Sequence, residues 1–89
     1  MLLIAQKTAF KKDIKKLKKQ NKDLNKLSDV VEILAKQIDL PLEYLDHPLK
    51  GTKPKMRDCH IEPDWLLLYG LEDDLLILYR TSSHSDLFK

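Results

Sequence analysis

The residues able to do chemistry crowd into the second half of this chain. All three histidines lie there, His47, His60 and His84, with both arginines, Arg57 and Arg80, and with Asp58 and Asp64 among them. Metal binding needs ligands at workable spacing. The histidines stand 13 and 24 residues apart, which matches no zinc pattern, although three histidines can still meet in space. Cys59 and His60 are neighbours on an expected strand and point to opposite faces, so they make no nucleophile pair. The two glycines, Gly51 and Gly70, are 19 residues apart and build no phosphate-binding loop. Acid–base chemistry remains. Histidines, carboxylates and arginines suit metal-independent cleavage of an RNA phosphodiester. There the 2′-hydroxyl loses a proton, the 5′-oxygen gains one, and the crowded phosphorane needs positive charge. Each positioned proton transfer contributes roughly 10²–10⁴ in rate.

Each of these residues also has a plainer reading. His47 precedes Pro48 in an expected loop and reads as a solvated surface residue. His60 shares a strand face with Asp58 and reads as its ion-pair partner; both should face outward, because Cys59 and Ile61 suit the core. His84 sits between two serines in a polar tail. Arg80 ends a strand and could pair with Asp58 or Asp64. Trp65 and Phe88 read equally as core packing.

The elements that must position this set follow from periodicity. Leu2 to Gln6 is a short apolar strand. Thr8 is the expected N-cap of a helix whose stripe is Phe10, Ile14 and Leu17, with lysines around the rest. Asn21-Lys22-Asp23 interrupts it, with Asp23 as the next N-cap. Leu24, Leu27, Val31, Leu34 and Ile38 predict a second helix, ended by Pro41. The two should form an αα-hairpin. Residues 41–55 hold three of the four prolines and read as an irregular connection. Met56 to Ile61 reads as a strand. Trp65 to Leu71 and Leu75 to Tyr79 make a hairpin about Glu72-Asp73-Asp74. The pattern β-α-α-β-β-β predicts an α+β domain over residues 1–89, a helical hairpin packed on a mostly antiparallel four-stranded sheet.

Composition bounds the partners. At 89 residues and 10.4 kDa the chain holds one compact domain. Its longest apolar run, Trp65 to Tyr69, is far short of the roughly 20 residues of a membrane span. Met1 to Ala5 is apolar but lacks a basic flank and a cleavage site, so no signal peptide is expected. A single cysteine points to a reduced, cytoplasmic chain. The net charge of +2 conceals an asymmetry: residues 1–27 hold nine lysines against Asp13 and Asp23, and the remainder holds seven basic against twelve acidic residues. Such a field attracts polyanions, or else the lysines only solvate a helix.

Three segments, Asp46-His47-Pro48-Leu49-Lys50-Gly51, Arg57-Asp58-Cys59-His60-Ile61-Glu62-Pro63-Asp64-Trp65 and Arg80-Thr81-Ser82-Ser83-His84-Ser85-Asp86-Leu87-Phe88, closely resemble the YafQ branch of the RelE-like bacterial toxins. The likeness covers nearly the whole chain. It implies a microbial-ribonuclease-like fold. It further implies an mRNA endoribonuclease that works on the 70S ribosome, without cofactor or metal, and is neutralised by a cognate antitoxin. The free toxin would be a monomer and no membrane would be involved. On this resemblance His47, His60, His84, Asp58, Asp64 and Arg80 are the catalytic candidates. Phe88, Lys50, Lys53, Arg57 and Trp65 are the candidates for contacts to RNA. Which histidine is base and which acid stays open. The competing reading is a non-catalytic basic module that binds RNA or a protein; a metal hydrolase is a third.

Overall fold

The computed structural model describes residues 1–52 and 55–88. Lys53, one of the expected RNA contacts, lies outside the described residues. The elements run β1 (Leu3–Gln6), α1 (Thr8–Lys19), α2 (Leu24–Ala35), a 3₁₀ turn (Leu42–Tyr44), β2 (His47–Pro48), β3 (Arg57–Glu62), β4 (Trp65–Glu72), β5 (Leu75–Ser82) and α3 (His84–Leu87). The α+β class stands. The sheet has five strands, in the order β1-β5-β4-β3-β2, not the expected four. The extra strand is only His47–Pro48, too short to show alternation. Its proline is tolerated because the strand is an edge. β1 runs parallel to β5 and every other pair is antiparallel.

Both helices bury the faces their spacing implies, with shifts at the margins. Phe10 and Leu17 of α1 are buried, and Ile14 packs against the same core. In α2 the most buried residues are Val30 and Ala35, with Val31 only half-buried. Its helix stops at Ala35, and Ile38 is exposed. Gln37 takes a left-handed φ of 60°, while its N–H bonds Leu34 O and the N–H of Ile38 bonds Ile33 O. This pair of bonds is a Schellman stop, made without the glycine that would have announced it. α1 ends the same way at Asn21, φ 58°. Asp23 caps α2 as expected, accepting from Asn25 N at 3.0 Å. Thr8 does not cap α1: Lys7 holds that position and offers no side-chain bond.

β4 is buried along most of its length. Trp65, Leu67 and Tyr69 face the helices with Cys59, Ile61, Leu76 and Leu78. Leu66 and Leu68, also buried, line the opposite face. Among the described residues no helix is long and apolar enough to cross a membrane.

Cys59 is wholly buried, and burial first, then the charges of Asp46 and Asp58, pushes its thiol from 9.0 up to about 12. The folded state therefore keeps a proton that the unfolded chain releases near pH 9. The stability this represents is complete below that pH and is lost as pH rises toward about 12. Native protein at pH 8 should resist iodoacetamide until denaturant is added, and Cys59→Ala should flatten the alkaline limb of a pH–stability curve. Rapid labelling of the folded chain would show that Cys59 lies outside the core.

Candidate functional site

Sheet register assembles the candidate residues. His47 pairs with Asp58, Asp58 with Leu68, and Leu68 with Arg80, in one row across four strands. Two residues along lies a second row, His60, Leu66 and Ser82. Laterally paired residues point to the same side of a sheet, and so do residues two apart on a strand. His47, Asp58, His60 and Arg80 therefore share the face that the helices do not cover, over a floor of Leu66 and Leu68.

Asp58 departs from expectation. It lies on the predicted face but is only 4% exposed. Its neighbour is His47, whose Nε2 stands 3.8 Å from Asp58 Oδ2, and not His60. Asp58 Oδ1 has no hydrogen-bond partner among the described residues. The other ring nitrogen of His47, Nδ1, lies 2.6 Å from Leu45 O. Leu45 itself has a left-handed φ of 51°, a strained state for a bulky residue. His60 Nδ1 is 3.2 Å from Pro63 O, which leaves Nε2 without a partner among the described residues. A cleft of about 440 Å³ opens beside His60, walled also by Tyr44, Leu45, Glu62 and Pro63.

The tail closes over one end of this face. Ser83 caps α3, accepting from Asp86 N. Asp64, in the β3–β4 turn, accepts the His84 backbone N–H at 3.2 Å, which ties the turn to the tail. His84 and Phe88 lie one helical turn apart, with ring centroids 5.0 Å apart and planes tilted by 47°. Phe88 is 44% exposed, so it is no core plug. Lys16 bonds Asp86 at 3.0 Å, and its hydrogen bond, with those from Ser83 and Ser82, holds that carboxyl below its usual range.

One expected RNA contact is corrected, and a second lies apart from the histidines. Trp65 is 1% exposed, and its Nε1 donates to Thr81 Oγ1 at 2.8 Å; it is core, with no ring face to offer a base. Arg57 alternates with Asp58, so it lies on the other face of β3. There its Nε donates to Asp46 Oδ1 at 3.2 Å and to Tyr69 Oη at 3.3 Å. Lys50 is exposed in the turn beyond β2 and stays available.

Two carboxylates were missed. Asp46 accepts from Tyr69 Oη at 2.6 Å as well as from Arg57, which pins the residue next to His47. Asp13 accepts from Arg80 Nε at 2.7 Å and from Arg80 Nη2 at 3.0 Å. Arg80 was expected to pair with Asp58 or Asp64, if with anything. Asp13 is the only acid in α1 and sits beside its apolar stripe, a weak signal that went unread.

No group of three or more histidine, cysteine, aspartate or glutamate side chains among the described residues is placed to hold a metal ion. The charge around the face is instead organised as one clamped arginine, Arg80, and two buried carboxylates, Asp13 and Asp58. Tyr69→Phe should remove the shortest bond to Asp46 and cost about 1–3 kcal/mol in urea unfolding. It should also broaden the His47 imidazole signals in NMR. An unchanged His47 spectrum would mean that Asp46 does not set its position.

The family model of the bacterial toxin YafQ, of type II toxin–antitoxin systems, matches residues 2–89. The mRNA interferase toxin YafQ of Escherichia coli K12 is 45% identical over 80 residues, covering 89% of this chain and 87% of that one. The chain is also similar to the toxin in the E. coli DinJ–YafQ complex, with TM-score 0.92, 41% identity and full coverage of both. A copper-bound mutant toxin from Helicobacter pylori superposes with TM-score 0.94 at 43% identity, covering 99% of this chain and all of that one.

Proposed function

The chain belongs to the YafQ family of type II toxins, and we propose that it cleaves mRNA on the ribosome by metal-independent acid–base catalysis. The observation that carries this reading is the sheet row in which His47, Asp58 and Arg80 share one face with His60. A non-catalytic RNA-binding module would have no use for a buried carboxylate beneath a histidine.

The roles follow from hydrogen-bond inventory. Both ring nitrogens of His47 face acceptors, Leu45 O and Asp58. Leu45 O holds Nδ1, whereas Nε2, at 3.8 Å, lies beyond hydrogen-bond reach of the Asp58 carboxylate and is left to the substrate, so His47 is assigned the proton donor to the 5′-oxygen. His60 faces one acceptor, Pro63 O, at Nδ1. With the proton there, Nε2 is free to take the proton of the 2′-hydroxyl. Arg80 supplies positive charge to the phosphorane. His84 and Phe88 form a ring platform on which a base stacks, a contact worth roughly 1–3 kcal/mol. Asp64 keeps that platform in place through the His84 N–H. The cleft beside His60 receives a neighbouring nucleotide.

The product of 2′-hydroxyl attack is a 2′,3′-cyclic phosphate, or the 3′-phosphate it opens to, with a free 5′-hydroxyl. Single-turnover cleavage on programmed ribosomes should yield these ends. His47→Ala and His60→Ala should each slow it about 10²-fold or more. An RNA with a sulfur leaving group at the 5′ position needs no acid, so it should restore His47→Ala and leave His60→Ala slow. Cleavage should survive chelation of metal, with ribosome integrity checked separately. Products ending in 5′-phosphate and 3′-hydroxyl, or both variants cutting at the wild-type rate, would overturn the mechanism.

The lysine-rich helices supply long-range attraction, toward ribosomal RNA in the active state. Lys11→Glu, Lys15→Glu and Lys18→Glu together should weaken ribosome association at low salt, with folding unchanged. Association as tight as wild type would reduce the lysines to a solvated face. The other partner is an antitoxin, as in the E. coli complex; expression of the chain alone should arrest growth, and its co-expressed neighbour should relieve the arrest.

A further inference from the structure

We propose that Asp13 is a positioning residue for Arg80: it clamps the guanidinium by two bonds and aims its remaining N–H groups at the scissile phosphate. This rests on the RNA-cleaving reading above and adds a residue on α1 to it.

The argument begins at a sheet edge. β1 ends at Gln6, paired with Leu78, so β5 continues to Ser82 with no strand on its outer side. At that edge Asp13 Oδ2 accepts the Thr81 backbone N–H at 3.0 Å. The carboxylate thus stands where the next residue of an edge strand would stand. It is nine-tenths buried, although lysines surround it in sequence. An acid placed only for solubility would face solvent with them. Beneath it, Thr81 Oγ1 accepts from Trp65 Nε1 and donates to Leu66 O at 2.9 Å. Asp13 is therefore tied through Thr81 to wholly buried parts of the core.

From that anchor the carboxylate takes Arg80 side-on, Oδ2 with Nε and Oδ1 with Nη2. A guanidinium has five N–H groups in one plane. Two are spent on Asp13. Both N–H groups of Nη1 and one of Nη2 remain, and Nη1 makes no hydrogen bond among the described residues. The Arg80 side chain is 40% exposed, so those groups reach solvent. The side-on clamp fixes the plane of the fork, which a phosphate needs for bidentate contact. Its hydrogen bond also holds the Arg80 guanidinium above its usual range, so the charge is permanent. The clamp partly neutralises Arg80, which opposes catalysis. Misplacing a catalytic group by about 1 Å can cost 10²-fold, so aim outweighs that loss.

The test is a double-mutant cycle by single-turnover cleavage on programmed ribosomes, using wild type, Asp13→Asn, Arg80→Ala and the pair. Asparagine keeps the size but sets an NH₂ group against an arginine N–H. Asp13→Asn should cut about tenfold more slowly or worse, with ribosome affinity unchanged. In the Arg80→Ala background the same substitution should have no further effect. A rate that is unchanged or faster in Asp13→Asn overturns the proposal. So does an equal loss in both backgrounds, because Asp13 would then act on the fold and not through Arg80. A wild type that does not cut RNA overturns the function itself, whereas a wild type that cuts alongside an unimpaired Asp13→Asn overturns only this role. Should Asp13→Asn fail to fold, the wild type alone decides: its Arg80 Nε–H NMR signal must exchange slowly with water. Exchange as fast as in free arginine would sink the clamp.

Discussion

Everything in this fold hangs from the register of β4. Its residues are buried on both faces, Trp65, Leu67 and Tyr69 toward the helices and Leu66 and Leu68 away from them. Side chains alternate with a period of two, so a slip of one residue would carry every neighbour to the wrong face. A strand with one polar face could absorb such a slip more cheaply. Here it would press Asp58 and His60 into the helical core and turn Cys59 and Ile61 outward. Trp65 adds a directional lock, because its indole N–H must meet Thr81 and no other strand residue. The positions of Arg80, one strand pairing away, and of His47, two pairings away on the other side, are consequences.

The two arginines show how one residue type serves two ends. Each is held by an aspartate from a different element, Arg57 by Asp46 and Arg80 by Asp13. Burial works against the charge of Arg57, and bonds to Tyr69 and Asp46 outweigh it. That cluster braces β2 from the far side of the sheet. The Arg80 cluster lies at the free edge of β5 and opens to solvent. The surface pairs are of another kind. Lys22 and Lys26 both reach Glu62, and the Lys26 hydrogen bond holds that carboxyl below its usual range. Such exposed pairs are screened by water and salt and stabilise the fold little. They tether the basic helix ends to the β3–β4 turn more than they stabilise the fold.

Most of the architecture was legible from periodicity. The stripe Phe10, Ile14, Leu17, the Asp23 cap and the three long strands needed only spacing and turn residues. Illegible features were those whose cause lies across the fold. β2 is two residues long and exists because Asp46 is pinned by Tyr69, 23 residues away. α2 stops at Ala35 through a glutamine in left-handed geometry, and nothing in a glutamine announces that. Asp58 was placed on the correct face, but its burial depends on β2 lying beside it. The site was read through resemblance more than through spacing, and resemblance could not separate Trp65 and Arg57, which build the fold, from the residues that face the cleft. Asp13 escaped because an acid among lysines reads as a solvated residue.

Strain and unmet bonding gather around one residue, His47. Leu45, two residues before it, is left-handed, and Asp58 under it has a buried oxygen without a partner among the described residues. Each such feature costs of order 1–3 kcal/mol, a large share of the stability of a domain this small. A purely structural histidine on an exposed edge would need neither. The strained Leu45 presents its carbonyl to Nδ1, and Asp58 stands beneath Nε2, so both features act on the same ring. The bracing of Asp46 by Tyr69 and Arg57 keeps that arrangement from relaxing. The fold thus spends stability on fixing one imidazole, and β4, buried on both sides, anchors the sheet that carries it.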